Sequence, residues 1–133
     1  TCFRNAWDQP IGKMTEETFE RIFAGLKEMS PIPSVYFGGI GEPLFHPKTI
    51  EWIRRIKGLG VKVELITNGT TMTAEFSRDL AALGVAQVTV SVDGGSDEAY
   101  SGMRGIELSS RLLVIATTSA SLIWMSIVSS TTG

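Results

Sequence analysis

Ser34-Val35-Tyr36-Phe37-Gly38-Gly39-Ile40-Gly41-Glu42-Pro43 begins as a short β-prone run and stops at a pair of glycines. Two later segments have the same outline without repeating the sequence. Val61-Lys62-Val63-Glu64-Leu65-Ile66 stops at Thr67-Asn68-Gly69, and the run from Val85 to Val92 stops at Asp93-Gly94-Gly95. Taking Gly38, Thr67 and Asp93 as the strand ends, the spacings are 29 and 26 residues (67 − 38 and 93 − 67). That is the length of one strand, one helix and two short connections.

The intervening stretches have helical period. Thr15 before Glu16-Glu17 reads as an N-cap followed by acids at the positive end of a helix dipole. Phe19, Ile22, Phe23, Leu26 and Met29 then form one apolar stripe, which Pro31 and Pro33 end. Pro47 suits the first residue of a second helix, with Ile50, Ile53, Ile56 and Leu59 on its buried face and Gly58 and Gly60 at its end. Thr73 opens a third, carrying Phe76, Leu80 and Leu83, and Gly84 closes it. Ser96-Asp97-Glu98 opens a short fourth helix through Tyr100. Strands alternating with helices through short connections predict an α/β fold with a parallel sheet. In such sheets the loops leaving the carboxyl ends of the strands share one edge, and ligands bind there. Gly38–Pro43, Thr67–Thr70 and Ser91–Gly95 are therefore the expected site.

Composition narrows the function classes. With 43% hydrophobic and 20% charged residues the chain can bury a core. Twelve basic against fourteen acidic side chains give no electropositive face for nucleic acid. One cysteine, Cys2, excludes an intrachain disulfide. All fourteen acids lie at or before Glu107, and beyond it Arg111 is the only charged residue. Residues 1–107 and 108–133 are thus two kinds of sequence, the second an atypical Ser/Thr-aliphatic tail that reads best as an artificial end or a shifted translation frame. Its apolar part, Leu112–Val128, has 17 residues with five Ser or Thr. This is short of the roughly 20 mostly apolar residues of a membrane span, so no membrane partner is expected.

The three loops, in this order, resemble the radical S-adenosylmethionine (SAM) superfamily. Gly38-Gly39-Ile40-Gly41-Glu42-Pro43 is similar to that family's GGxGEP segment, and Thr67-Asn68-Gly69 to the TNG ending its next strand. Ser91-Val92-Asp93-Gly94 with Tyr100 and Arg104-Gly105 resembles the corresponding stretch of members carrying a second cysteine-rich, SPASM-type domain. Thr1-Cys2-Phe3-Arg4 resembles the end of the CxxxCxxC cluster loop. With Asn5 and Trp7 it is similar to maturases linked to tungsten-cofactor oxidoreductases.

The resemblance implies a partial (β/α)6 barrel, of which 1–107 would supply strand–helix units two to four and a preceding helix. It implies a [4Fe–4S] cluster with Cys2 as one of three thiolate ligands. It also implies SAM held by Gly38, Gly39, Gly41, Glu42, Asn68, Ser91 and Asp93. An electron from a ferredoxin- or flavodoxin-type donor would split SAM into methionine and a 5′-deoxyadenosyl radical. That radical would take hydrogen from a peptide or small-molecule cofactor precursor, in a reducing, cytoplasmic compartment. One thiolate cannot hold such a cluster. The chain is therefore expected to be an inactive fragment of its parent enzyme, missing two cysteines and the first strand, with an exposed sheet edge.

Each residue also has a plainer reading. Cys2 can be a small buried hydrophobe, Glu42 a surface acid in a turn, and Gly38-Gly39 a tight strand–helix turn. Asn68-Gly69 is a common turn dipeptide. Ser91 and Asp93 alternate onto one face of their strand, but Asp93 can equally cap the next helix. His46, the only histidine, reads as a capping or packing residue, and Trp52 as packing. The alternative function is a non-catalytic α/β module that binds an adenosine nucleotide at the same loops.

Overall fold

The structure, a computed structural model, describes residues 12–91. Helix α1 (Glu16–Glu28) is followed by strand β1 (Val35–Phe37), a 3-10 turn (Pro43–Phe45) and helix α2 (Thr49–Lys57). Strand β2 (Val63–Thr67), helix α3 (Ala74–Ala82) and strand β3 (Gln87–Val90) complete the order. The strands form one sheet in the order β1-β2-β3, and both pairings are parallel. The expected alternation is realised. The fourth helix, the tail and residues Cys2 and Asp93 lie outside the described residues.

Local chemistry sets most boundaries. The Thr15 hydroxyl accepts the Thr18 amide at the start of α1, and the Thr73 hydroxyl accepts the Phe76 amide at the start of α3. Gly60 and Gly84 leave their helices at φ +76° and +65°, a region that costs glycine little. The start of α2 differs from expectation. Pro47 lies in a turn, and the helix begins at Thr49. The cause is His46, whose Nδ1 accepts the Lys48 amide at 3.2 Å and holds the turn open for two residues.

One face of the sheet is covered by the helices. Val63 and Leu65 of β2 and Val88 and Val90 of β3 share a core with Trp52, Ile53 and Ile56 of α2, Leu80 of α3, and Phe19 and Leu26 of α1. Trp52 lies between His46 and Phe19, with ring centroids 4.3 and 4.5 Å away. The Arg55 guanidinium rests over Phe19 and Phe23 and is paired with Glu20, which fastens α1 to α2. The apolar stripe of α1 is only partly buried. Ile22 remains 45% exposed and Met29 52%. Ile22 turns toward a cavity of about 960 Å³ that runs along β1, where Met14, Tyr36 and Phe45 also stand.

The other face carries the alternate residues. The register sets Tyr36 opposite Glu64, Glu64 opposite Gln87, and Ile66 opposite Thr89. These side chains are half-buried or exposed, and Gly38, Asn68 and Ser91 continue the same alternation beyond the strand ends.

Candidate functional site: the rim at the strand ends

Three parallel strands of similar register bring the loops after Phe37, Thr67 and Val90 to one edge. Gly39 and Gly41 adopt φ +115° and +126°, and a Cβ on either would meet no atom within 4 Å. The loop therefore has glycine for its backbone path, and it offers open space beside that backbone. Gly38 is different. A Cβ there would fall 2.6 Å from Ile66 Cγ2 and 2.8 Å from Tyr36 Cζ, because the Tyr36 ring lies across the glycine. Its requirement is steric rather than torsional.

Glu42 is the best-connected residue of the rim. Its Oε1 accepts the Thr67 hydroxyl at 2.7 Å and the Leu44 amide at 3.1 Å. Its Oε2 accepts the Asn68 amide at 2.6 Å. Three donors converge on one side chain, which is the environment of a carboxylate rather than of a surface acid in a turn. Two of those donors come from the end of β2, so Glu42 ties the first loop to the second.

Asn68 uses its side chain locally. Its Oδ1 accepts both the amide and the hydroxyl of Thr70, at 2.8 and 2.6 Å, which shapes the turn that Gly69 enters at φ +73°. Ser91 is held by its backbone: its amide donates to the Thr67 carbonyl at 2.8 Å. Of the expected SAM residues, Gly38, Gly39, Gly41, Glu42, Asn68 and Ser91 are brought together at this rim. The described residues include no cluster of three or more His, Cys, Asp or Glu side chains suited to a metal. His46 has the capping and packing role expected of it, and its Nε2 also reaches the Met14 carbonyl at 3.1 Å.

Thr67 lies in the TNG segment but has no role assigned to it from the sequence. It is 2% exposed and contacts all three loops: its hydroxyl donates to Glu42 and accepts the Gly69 amide at 3.0 Å, while its carbonyl accepts the Ser91 amide. The signal was present. Val63, Leu65 and Thr67 alternate onto the buried face, and a buried hydroxyl must find partners.

A family profile of the Radical SAM superfamily matches residues 2–121. The chain belongs to the radical SAM superfamily, a family of enzymes. Over 92 residues it is 37% identical to the tungsten-containing aldehyde ferredoxin oxidoreductase cofactor-modifying protein of Pyrococcus furiosus, covering 69% of this chain and 26% of that protein. Over 97 residues it is 33% identical to the AdoMet-dependent heme synthase of Methanosarcina barkeri, covering 73% of this chain and 27% of that one. The PqqA peptide cyclase of Streptomyces rochei is 33% identical over 95 residues, 69% of this chain and 26% of its own. The chain thus spans about a quarter of the length of these curated relatives. The crystal structure of BtrN in complex with AdoMet and 2-DOIA shares the fold, with a TM-score of 0.66 at 15% identity, over 98% of this chain and 51% of that one. No helix among the described residues is long and apolar enough to cross a membrane.

Proposed function

We propose that this chain is the SAM-binding part of a radical SAM enzyme whose substrate is a peptide or a cofactor precursor. The observation that carries the reading is the single rim on which Gly38, Gly39, Gly41, Asn68 and Ser91 meet, braced by Glu42.

The residues present fit SAM. The space beside Gly39 and Gly41 is open, so a ligand can approach the backbone there, and main-chain groups can meet the amino and carboxylate groups of a chelating methionine moiety. Asn68, Ser91 and Asp93 are the polar residues assigned to the same ligand. The fit to the cluster is incomplete in these 133 residues, which hold a single cysteine. Cys2 is assigned as one thiolate ligand, and two further thiolates are required. When bound, the cluster supplies the electron that reduces SAM. This chain's own residues hold the methionine moiety at the rim and keep the loops in register. Among the described residues no strand pairs with the outer edge of β1, where Met14, Ile22 and Phe45 line the cavity, and this supports a further strand of the barrel at that position.

The cofactor-modifying protein of Pyrococcus furiosus and the PqqA peptide cyclase favour a cofactor precursor or peptide as substrate. A ferredoxin- or flavodoxin-type donor and a reducing, cytoplasmic compartment complete the reading. The test is anaerobic reconstitution of the full-length protein, followed by iron and sulfide analysis and chromatography for 5′-deoxyadenosine. Cluster incorporation and reductant-dependent 5′-deoxyadenosine are expected. A full-length protein that carries three cysteines but forms no cluster, or holds a cluster and leaves SAM intact, overturns the assignment.

A further inference from the structure

We propose that the Thr67 hydroxyl is a positioning group for SAM binding, acting through Glu42 to hold the first and second rim loops in one arrangement. This rests on the function proposed above and names a residue that the motif reading of the rim did not assign.

Thr67 and Glu42 meet on the helix-covered side of the sheet, where Thr67 continues the buried alternation of Val63 and Leu65. Gly38, Asn68 and Ser91 lie on the alternation of the opposite face, the side a barrel turns inward. Glu42 and Thr67 thus stand behind the ligand rim. A threonine hydroxyl has one proton, and here it is committed: it points at Glu42 Oε1, which leaves a lone pair for the Gly69 amide. Glu42 Oε2 then takes the Asn68 amide, and the Thr67 carbonyl takes the Ser91 amide. The Asn68 and Gly69 amides are thus bound to the Glu42 carboxylate and the Thr67 hydroxyl, while the Thr70 amide is bound within the turn by Asn68 Oδ1. With the hydroxyl removed, the Gly69 amide loses its acceptor and Glu42 loses one of its two links to β2. The first and second loops are then joined by the Asn68 amide bond to Glu42 Oε2 and held less firmly.

The experiment compares Thr67→Val, Thr67→Ser and Glu42→Gln in the full-length protein. Valine keeps the shape and removes the hydroxyl, whereas serine keeps the hydroxyl. Glutamine places an amide NH2 against a donor. Hydrogen exchange is measured without SAM on peptides spanning 38–45 and 66–72, and SAM turnover is measured on the cluster-loaded protein. Thr67→Val and Glu42→Gln are expected to exchange about tenfold faster in both peptides, the scale of one lost hydrogen bond to a charged group. The KM for SAM should rise by about the same factor, with kcat changed less, because the lost contacts order the binding loops. Thr67→Ser should restore both values. The double variant should be little worse than either single one.

Exchange in Thr67→Val equal to that of the wild type overturns the proposal, as does a Thr67→Ser variant as impaired as Thr67→Val. If Thr67→Val does not fold, Glu42→Gln alone decides, and unaltered exchange in its two peptides is a refutation. A wild type that cleaves SAM alongside an indistinguishable Thr67→Val overturns this inference alone. A wild type that holds a cluster but not SAM overturns the function and this inference together.

Discussion

Gly38→Ala isolates a steric demand from a torsional one. The added methyl would meet Ile66 Cγ2 at 2.6 Å and Tyr36 Cζ at 2.8 Å, against an ordinary carbon–carbon contact of about 3.5–4.0 Å. Ile66 must retreat by roughly 1 Å to restore that contact, and the Tyr36 ring, whose Cε1 the methyl would overlap most closely, by more. Tyr36 is 56% exposed, so its ring can swing toward solvent, but Ile66 is half-buried between strands and has less freedom. Overpacking of this kind costs about 1–3 kcal/mol. Because the ring is one of the two obstacles, the cost should fall by about 1 kcal/mol when Tyr36→Ala is present, a coupling typical of residues in direct contact. Gly39→Ala supplies the contrast. No atom lies within 4 Å of its Cβ, so its cost is the positive φ of +115° alone. About 1–3 kcal/mol is expected, with no rescue by Tyr36→Ala. Urea unfolding of the full-length wild type, the three single variants and the two doubles, followed on the same signal, gives each cost with and without Tyr36→Ala. A Gly38→Ala cost unchanged by Tyr36→Ala, or below about 0.5 kcal/mol, refutes the packing argument.

Trp52 is 2% exposed, and its indole N–H has no hydrogen-bond partner among the described residues. Trp52→Phe removes that buried orphan donor, a relief of about 1–3 kcal/mol that opposes the lost ring volume. Its unfolding free energy should stay within about 1.5 kcal/mol of wild type, while Trp52→Ala should lose about 3–5 kcal/mol. Equal losses in a urea titration would show that the N–H has a partner. The Glu20 carboxyl, on an exposed side chain, is held below its ordinary range, first by the hydrogen bond from Arg55, while slight desolvation opposes the shift and the charges of Arg55 and Lys48 add to it. A lowered folded value means the contribution is complete above the ordinary carboxylate pKa and is lost as pH falls through the folded one. Wild type should therefore melt above Glu20→Gln at neutral pH, and the gap should close below about pH 4. A gap that persists in acid would remove the pair from the stability of the α1–α2 contact.

Much of the rim was legible before any coordinates. Glycine-bearing turns after β-prone runs, at spacings that leave room for one helix, gave the parallel order and put the three loops at one edge. The GGxGEP and TNG segments fell where the strands end. One helix start and the burial of one helix face departed from expectation. His46 delayed α2 by capping the turn at Lys48, and the cavity along β1 left Ile22 exposed on a helix whose period had placed it inside.

By itself the sequence determined the kind of structure and the place of the site. Strand propensity, caps and glycine positions act within a few residues and need no distant partner. Only the tertiary structure decided what Glu42 and Thr67 do. Their bond joins positions 25 residues apart, and it exists because parallel pairing of β1 with β2 sets two loops side by side. An acid in a turn and a threonine at a strand end carry no local sign of each other. Adjacency of strands, which is a property of the whole sheet, makes them one unit.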